Sequence, residues 1–217
     1  MEKIVLIGNG GHAKSIIDSI ETSNTYKIEG FIANNSNEEF AYRGYRIIGT
    51  DDDLEQIYES GIHNAFICIG YMGDNSIREE LYIRLKKIGF TLPVIIDPSA
   101  MIALDSQIKE GTYIGKRAVI NSAATIGEMS IINTGAVVEH DCLVGEFSHV
   151  AVNATLCGNV KIGRACLIGA NAVILQNIQL KKNVLVGAGA VVLDDIQENS
   201  VVTGVPAKSI KKINDRI

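Results

Sequence analysis

Tryptophan is absent from this chain of 217 residues, proline occurs three times, and aromatic side chains make up only 6% of the total. The hydrophobic interior therefore cannot be built around large rings. No apolar run approaches the roughly 18 residues of a membrane-spanning helix. The apolar stretch after Met1-Glu2-Lys3, Ile4–Ile7, is too short for a secretory h-region. Cys68, Cys142, Cys157 and Cys166 show no CxxC spacing, and a chain of this size needs no disulfide staples. They are predicted to be buried free thiols in a cytoplasmic protein. Lysines and arginines form no stripe, and 25 acidic against 20 basic residues give a net charge of −5, which argues against a general nucleic-acid binder. What is present is 47% apolar residues and 21 glycines. That content excludes disorder and leaves a core of Ile, Val, Leu, Ala and Gly, which suits β-branched side chains layered beside very small ones.

Two rhythms divide the chain. Residues 1–92 alternate strands (Lys3–Ile7, Ile28–Ile32, Ala65–Ile69) with helices (Ala13–Ile20, Asp51–Glu59, Ser76–Lys87), which predicts a small parallel βαβ sheet. From Ile96 every sixth residue is aliphatic, without interruption, through Ile114, Ile132, Val150, Ile168 and Val186 to Val192, seventeen positions in all. Four residues after each runs a second series, of which thirteen members are Ala, Ser, Thr or Cys, including Cys142 and Cys166. A fixed hexad predicts a parallel β-helix, with the aliphatics stacked inward and the small residues in tight corners. Three hexads to a coil give between five and six coils over residues 93–217, about 27 Å long at roughly 4.8 Å per strand layer. The general preference for parallel crossovers is right-handed. Thr91–Asp97 is the predicted junction, and Ala207–Ile217 is predicted as a short amphipathic helix capping the open end.

Gly8-Asn9-Gly10-Gly11-His12-Ala13 follows the first strand and opens a helix, fitting G-x-G-x-x-G/A. Such a turn lets backbone amides approach a phosphate. A dinucleotide site also requires an acid near the end of the second strand, where this chain has Ala33-Asn34. The turn therefore fits a smaller nucleotide better than NAD; a turn with no ligand is the plain structural alternative.

Two of the four histidines lie in the hexads, His140 in Val138-Glu139-His140-Asp141-Cys142 and His149 in Phe147-Ser148-His149. Neither sits at an inward position, so both are expected on the outer surface, where a histidine is ordinarily just solvated. A flanking carboxylate orients an imidazole and raises its basicity, which suits a general base near neutral pH. Nine residues separate the two, half a coil, which puts them on different faces. One cleft using both requires a neighbouring subunit. A zinc site would need three or four ligands, more than this region supplies, so no metal is expected.

These segments, with Ile131-Ile132-Asn133-Thr134, Gly158-Asn159-Val160-Lys161-Ile162-Gly163 and Gly204-Val205-Pro206-Ala207-Lys208, resemble the bacterial sugar acetyltransferases of the left-handed β-helix, hexapeptide-repeat superfamily. The similarity is greatest to the group that acetylates nucleotide-linked amino sugars, including the UDP-4-amino-4,6-dideoxy-sugar acetyltransferase of bacillosamine synthesis, with the sialic acid O-acetyltransferases as near relatives. The resemblance covers essentially the whole chain. It implies a left-handed prism, a homotrimer, acetyl-CoA as co-substrate and a nucleotide-linked amino sugar as acceptor, in surface-glycan biosynthesis. It makes His140 the general base and Asp141 the residue that raises its basicity, with Asn133 near the acceptor. His149, Gly158, Ala170, Ala188, Pro206 and Lys208 would meet acetyl-CoA, while Gly10, Gly11, His12, Asn34, Gly70 and Asn75 would hold the nucleotide sugar. Ala33-Asn34 departs from the acidic pair that the UDP-sugar enzymes carry, which bears on the choice of nucleotide. Two other readings remain at this stage: O-acetylation of a sugar hydroxyl, as in nonulosonic acids, and a non-catalytic β-helix scaffold. The mixed outward residues (Lys109, Glu128, Glu146, Arg164, Gln176) do not favour the scaffold.

Overall fold

The computed structural model describes residues 1–34 and 42–213. The chain forms two compact units, residues 1–70 with 76–95 and residues 71–75 with 96–217.

In the first unit β1 (Glu2–Ile7), α1 (Gly11–Ser23), β2 (Tyr26–Ile32), β3 (Ile47–Gly49), α2 (Leu54–Glu59), β4 (Asn64–Ile67) and α3 (Ser76–Ile88) follow one another. The sheet has the order β3-β2-β1-β4, all neighbours parallel. Ile4 to Ile7 are buried, as a strand covered on both faces requires. The sheet thus has four strands where the sequence predicts three. The strand missed, β3, is three residues long, follows a turn closed by a Tyr42–Tyr45 bridge and carries too few residues to show a period.

The second unit is a left-handed β-helix. Seventeen two-residue strands, β5 (Ile95–Ile96) through β21 (Val191–Val192), each end on a member of the aliphatic hexad series. Every third strand pairs in parallel, so Ile114, Ile132, Val150, Ile168 and Val186 stand in register along one face. These side chains and the small series, Ala118, Ala136, Cys142, Ala154 and Cys166 among them, form one continuous core. Several small residues also close corners: Thr112, Ser130 and Ser148 donate their hydroxyls to carbonyls fifteen residues on, at 3.0–3.1 Å, and Cys142 and Cys166 donate their thiols likewise. Burial pushes both thiols up to about 11, as expected of structural cysteines. Ile96, in the first coil, is 37% exposed because coils stack on one side of it only.

At the corners a residue with positive φ recurs every sixth position, from Gly111 and Arg117 through Asp141 (φ 61) and Asn159 to Gly189. This series is rich in Asn and Gly, the residues that tolerate the left-handed region. Among the described residues of Ala207–Ile217, the C-terminal helix expected there is replaced by a strand. Lys208–Lys212 is a strand that doubles back and pairs antiparallel with Ser200–Thr203. A helix there would leave the last sheet edge unpaired, and the strand covers it; residues 214–217 lie outside the described residues. Among the described residues no helix is long and apolar enough to cross a membrane.

The predicted boundary at 92/93 assigned Tyr71–Asn75 to the first domain, but that segment packs with the second unit. Hydrogen bonds tie it there, among them the Tyr71 hydroxyl donating to the Ala165 carbonyl (2.7 Å), the Asn75 amide to the Phe147 carbonyl (2.9 Å), and His149 Nδ1 to the Tyr71 carbonyl (2.9 Å).

Candidate active site

On the solenoid, His140 follows the strand Val137–Val138, and Asp141 occupies the next corner in the left-handed conformation. His140 Nδ1 lies 2.8 Å from Asp141 Oδ2. Since a carboxylate only accepts, Nδ1 carries the proton and Nε2 keeps its lone pair. The hydrogen bond that His140 Nδ1 donates to Asp141 holds the His140 pKa above its ordinary value, aided by the charges of Asp141 and Glu139. The ring is exposed, its side chain 62% accessible. Beneath it lies Gly158, one coil on: a Cβ on Gly158 would stand 2.6 Å from Nε2 and 2.7 Å from Cε1. An exposed, oriented imidazole with an available Nε2 above open backbone is equipped to take a proton from an incoming nucleophile.

His149 departs from the sequence reading. It points away from the aliphatic core but is buried, 8% exposed, under the segment Tyr71–Asn75. Its Nδ1 donates to the Tyr71 carbonyl, and its Nε2 meets Asn133 Nδ2 at 3.2 Å. The Thr134 N–H donates to Asn133 Oδ1 at 2.8 Å, which settles the orientation of that amide. The partners thus fix one tautomer, with the proton on Nδ1 and Nε2 accepting from Asn133. Tyr71 is the residue that sequence reasoning missed here, since a single aromatic after Gly70 carries no periodic signal.

The coil register sorts the remaining residues. His140 and Gly158 share one corner, where Asn159 N–H donates to the His140 carbonyl. Asn133, Ala170 and Ala188 share another, where Gly189 N–H donates to the Ala170 carbonyl. Pro206 and Lys208 belong to the exposed turn and strand that close the last coil. Cys142 and Cys166 are enclosed in the core, with their thiols donating to backbone carbonyls.

In the first unit, Gly10, Gly11, His12, Asn34 and Gly70 line one cleft of about 540 Å³, at the C-terminal ends of the strands. Asn75 is not among its lining residues. Helix α1 begins at this cleft, with Gly10 as its N-cap and no side chain capping it. A Cβ on Gly10 or Gly11 would meet nothing within 4 Å, so there is room beside the positive helix end for a ligand to approach, as an anion site requires. Asp51 also lines the cleft, a residue the sequence reading saw only as a helix start.

The family described as the PglD N-terminal domain matches residues 3–85, and the bacterial transferase hexapeptide (six repeats) matches residues 159–194. No curated protein matches the chain. Among solved structures, a histidine-to-alanine mutant of GDP-perosamine N-acetyl transferase from Caulobacter crescentus, in complex with CoA and GDP-perosamine, is 30% identical with a TM-score of 0.88, covering 98% of either chain. The acetyltransferase domain of PglB from Neisseria gonorrhoeae FA1090 is 32% identical with a TM-score of 0.89, over 97% of this chain and 100% of that one. The same domain in complex with acetyl coenzyme A matches at 31% identity and a TM-score of 0.87, over 96% and 99%.

Proposed function

The chain belongs to the left-handed β-helix, hexapeptide-repeat acetyltransferases of nucleotide-linked sugars, and from that membership we propose that it transfers acetyl from acetyl-CoA to the amine of a nucleotide-linked amino sugar. The observation that carries the mechanism is the His140–Asp141 pair above Gly158. The amine nitrogen attacks the thioester carbonyl carbon while its proton passes to His140 Nε2. The tetrahedral intermediate then expels the sulfur, which takes the proton from His140 Nε2 and leaves as the CoA thiol, returning the imidazole to its neutral form. Asp141 stabilises the imidazolium as it forms. Backbone N–H groups along the groove supply donors to the developing oxyanion, and holding the amine against the thioester supplies proximity. No nucleophilic cysteine takes part in this route.

Acetyl-CoA is placed along Gly158, Ala170 and Ala188, with Pro206 and Lys208 toward its nucleotide end, and His149 and Asn133 near the reacting groups. Gly158 lies on a different corner from Ala170 and Ala188, and the dyad on a different corner from Asn133. A groove meeting all of them is made by two copies, which supports a homotrimer with sites between subunits. The first unit's cleft receives the nucleotide, its phosphates at the start of α1 and its contacts drawn from Gly10, Gly11, His12, Asn34 and Gly70. The protein acts in the cytoplasm, where acetyl-CoA and activated sugars are available, in the synthesis of a surface glycan.

His140→Ala tests the base directly: kcat is expected to fall at least about 10²-fold with the fold intact, and an unchanged kcat removes His140 from the mechanism. Mixing His140→Ala with Asn133→Ala tests the shared site. Restored thiol release in the mixture is the outcome expected of sites built by two copies, and strictly additive residual activities contradict them.

A further inference from the structure

A Rossmann-like cleft ordinarily holds its nucleoside with an acid at the end of the second strand, a place taken here by Ala33 and Asn34. The structure brings a carboxylate to the same cleft from elsewhere. Asn34 Nδ2 donates to Asp51 Oδ2 at 2.7 Å, and the Asp51 backbone N–H donates to Asn34 Oδ1 at 3.2 Å. Both residues line the cleft together with Gly10 and Gly11, and Asp51 is the only acid among its described lining residues. Asn34 is thus spent on Asp51 at both ends of its amide, holding the carboxylate in place while leaving it further acceptor positions.

Strand order says which part of a nucleotide Asp51 meets. The strands run β3-β2-β1-β4, all parallel, so their C-terminal ends present, in sequence, the glycine turn after β1, Ala33-Asn34 after β2, and Asp51 after β3. With phosphates on the glycine turn and α1, the nucleoside runs outward past β2, and the base reaches β3. An ionised carboxylate only accepts hydrogen bonds. Guanine offers it two adjacent donors, N1–H and the N2 amino group, a bidentate match. Uracil and thymine flank their single N3–H with two carbonyl oxygens, which repel a carboxylate; cytosine and adenine set their amino group beside a ring nitrogen that also accepts. We propose that Asp51, oriented by Asn34, reads the nucleobase in this cleft and selects a guanine nucleotide. The proposal rests on the reading of the cleft as the nucleotide-sugar site.

Calorimetric titration of the full-length protein with GDP, UDP, dTDP, CDP and IDP tests it. IDP differs from GDP only in lacking the N2 amino group. GDP is expected to bind roughly 10- to 100-fold more tightly than UDP, dTDP or IDP. Asp51→Asn is expected to erase that preference by weakening GDP while UDP, relieved of the carboxylate's repulsion, binds no more weakly than before, with circular dichroism confirming the fold. UDP or dTDP binding as tightly as GDP, or Asp51→Asn weakening every nucleotide equally, overturns the assignment of Asp51 and leaves the cleft as a nucleotide site. Binding of none of the five overturns the reading of the cleft and the proposal with it.

Discussion

Replacing Gly158 with alanine places a methyl group against the His140 ring, to which the three nearest heavy atoms all belong. The new Cβ would stand 2.6 Å from His140 Nε2, where ordinary contact begins at about 3.4 Å, so the imidazole must retreat by about 0.8 Å. The obstacle is the outer end of an exposed side chain, and Gly158 is not at positive φ, so the chain accommodates the methyl without backbone strain. Loss of glycine entropy in the unfolded state contributes about 0.4–1 kcal/mol in the stabilising direction. The ring that retreats, however, is bound to Asp141 at 2.8 Å and must present Nε2 to the amine. Misplacement on the order of 1 Å costs about 10²-fold in rate, equivalent to about 2.7 kcal/mol of barrier. Gly158→Ala is therefore expected to keep or slightly raise Tm while lowering kcat by about two orders of magnitude, read by thiol release at saturating acetyl-CoA. A raised KM for acetyl-CoA with kcat unchanged would refute this reasoning, because it would make Gly158 a groove wall with no bearing on the base.

Gly145→Ala supplies the contrast: its Cβ would meet the Gly163 carbonyl carbon at 2.4 Å and Arg164 N at 2.6 Å, backbone that cannot swing away, so a loss of at least about 1–3 kcal/mol should appear in thermal melts, and an unchanged Tm counts against the tight coil stacking. The pH profile of kcat/KM is expected to rise through a free-enzyme pKa above the ordinary imidazole value, because Asp141 favours protonated His140. Asp141→Asn removes that bias and should move the limb to lower pH; a limb that does not move excludes His140 as the titrating base. Selective ¹⁵N-histidine NMR at neutral pH, with His149 assigned by loss of its signals in His149→Gln, should show Nδ1 protonated and Nε2 accepting. An Nε2–H pattern would contradict the Tyr71–His149–Asn133 chain.

The solenoid was readable because each hexad obeys the same constraint: one inward aliphatic, such as Ile132 or Val150, must stack on its counterparts one coil away. The dyad was readable because His140 and Asp141 are neighbours in sequence and stay neighbours in space. Long-range and edge-dependent features were not. Tyr71 reaches Ala165 and His149 across more than seventy residues, and nothing local marks that pairing or the burial of His149. Asp51 serves the cleft only because the three-residue strand before it pairs beside β2. The apolar residues of the C-terminal segment, Ala207, Ile210, Ile213 and Ile217, stand at helical spacing, and the open edge at Ser200–Thr203 overrides that local signal by pairing with Lys208–Lys212.

The central claim is tested most directly by incubating the protein with acetyl-CoA and a panel of UDP-, GDP-, dTDP- and CMP-linked sugars, following free thiol and the mass of the sugar product. The expected result is thiol release with an amino-sugar nucleotide, matched by one acetyl group on the product in a linkage that survives hydroxylamine, as an amide does. A hydroxylamine-labile ester would make it an O-acetyltransferase instead. No turnover with any member of the panel, together with no protection of the protein by acetyl-CoA in a melting assay, would contradict the account.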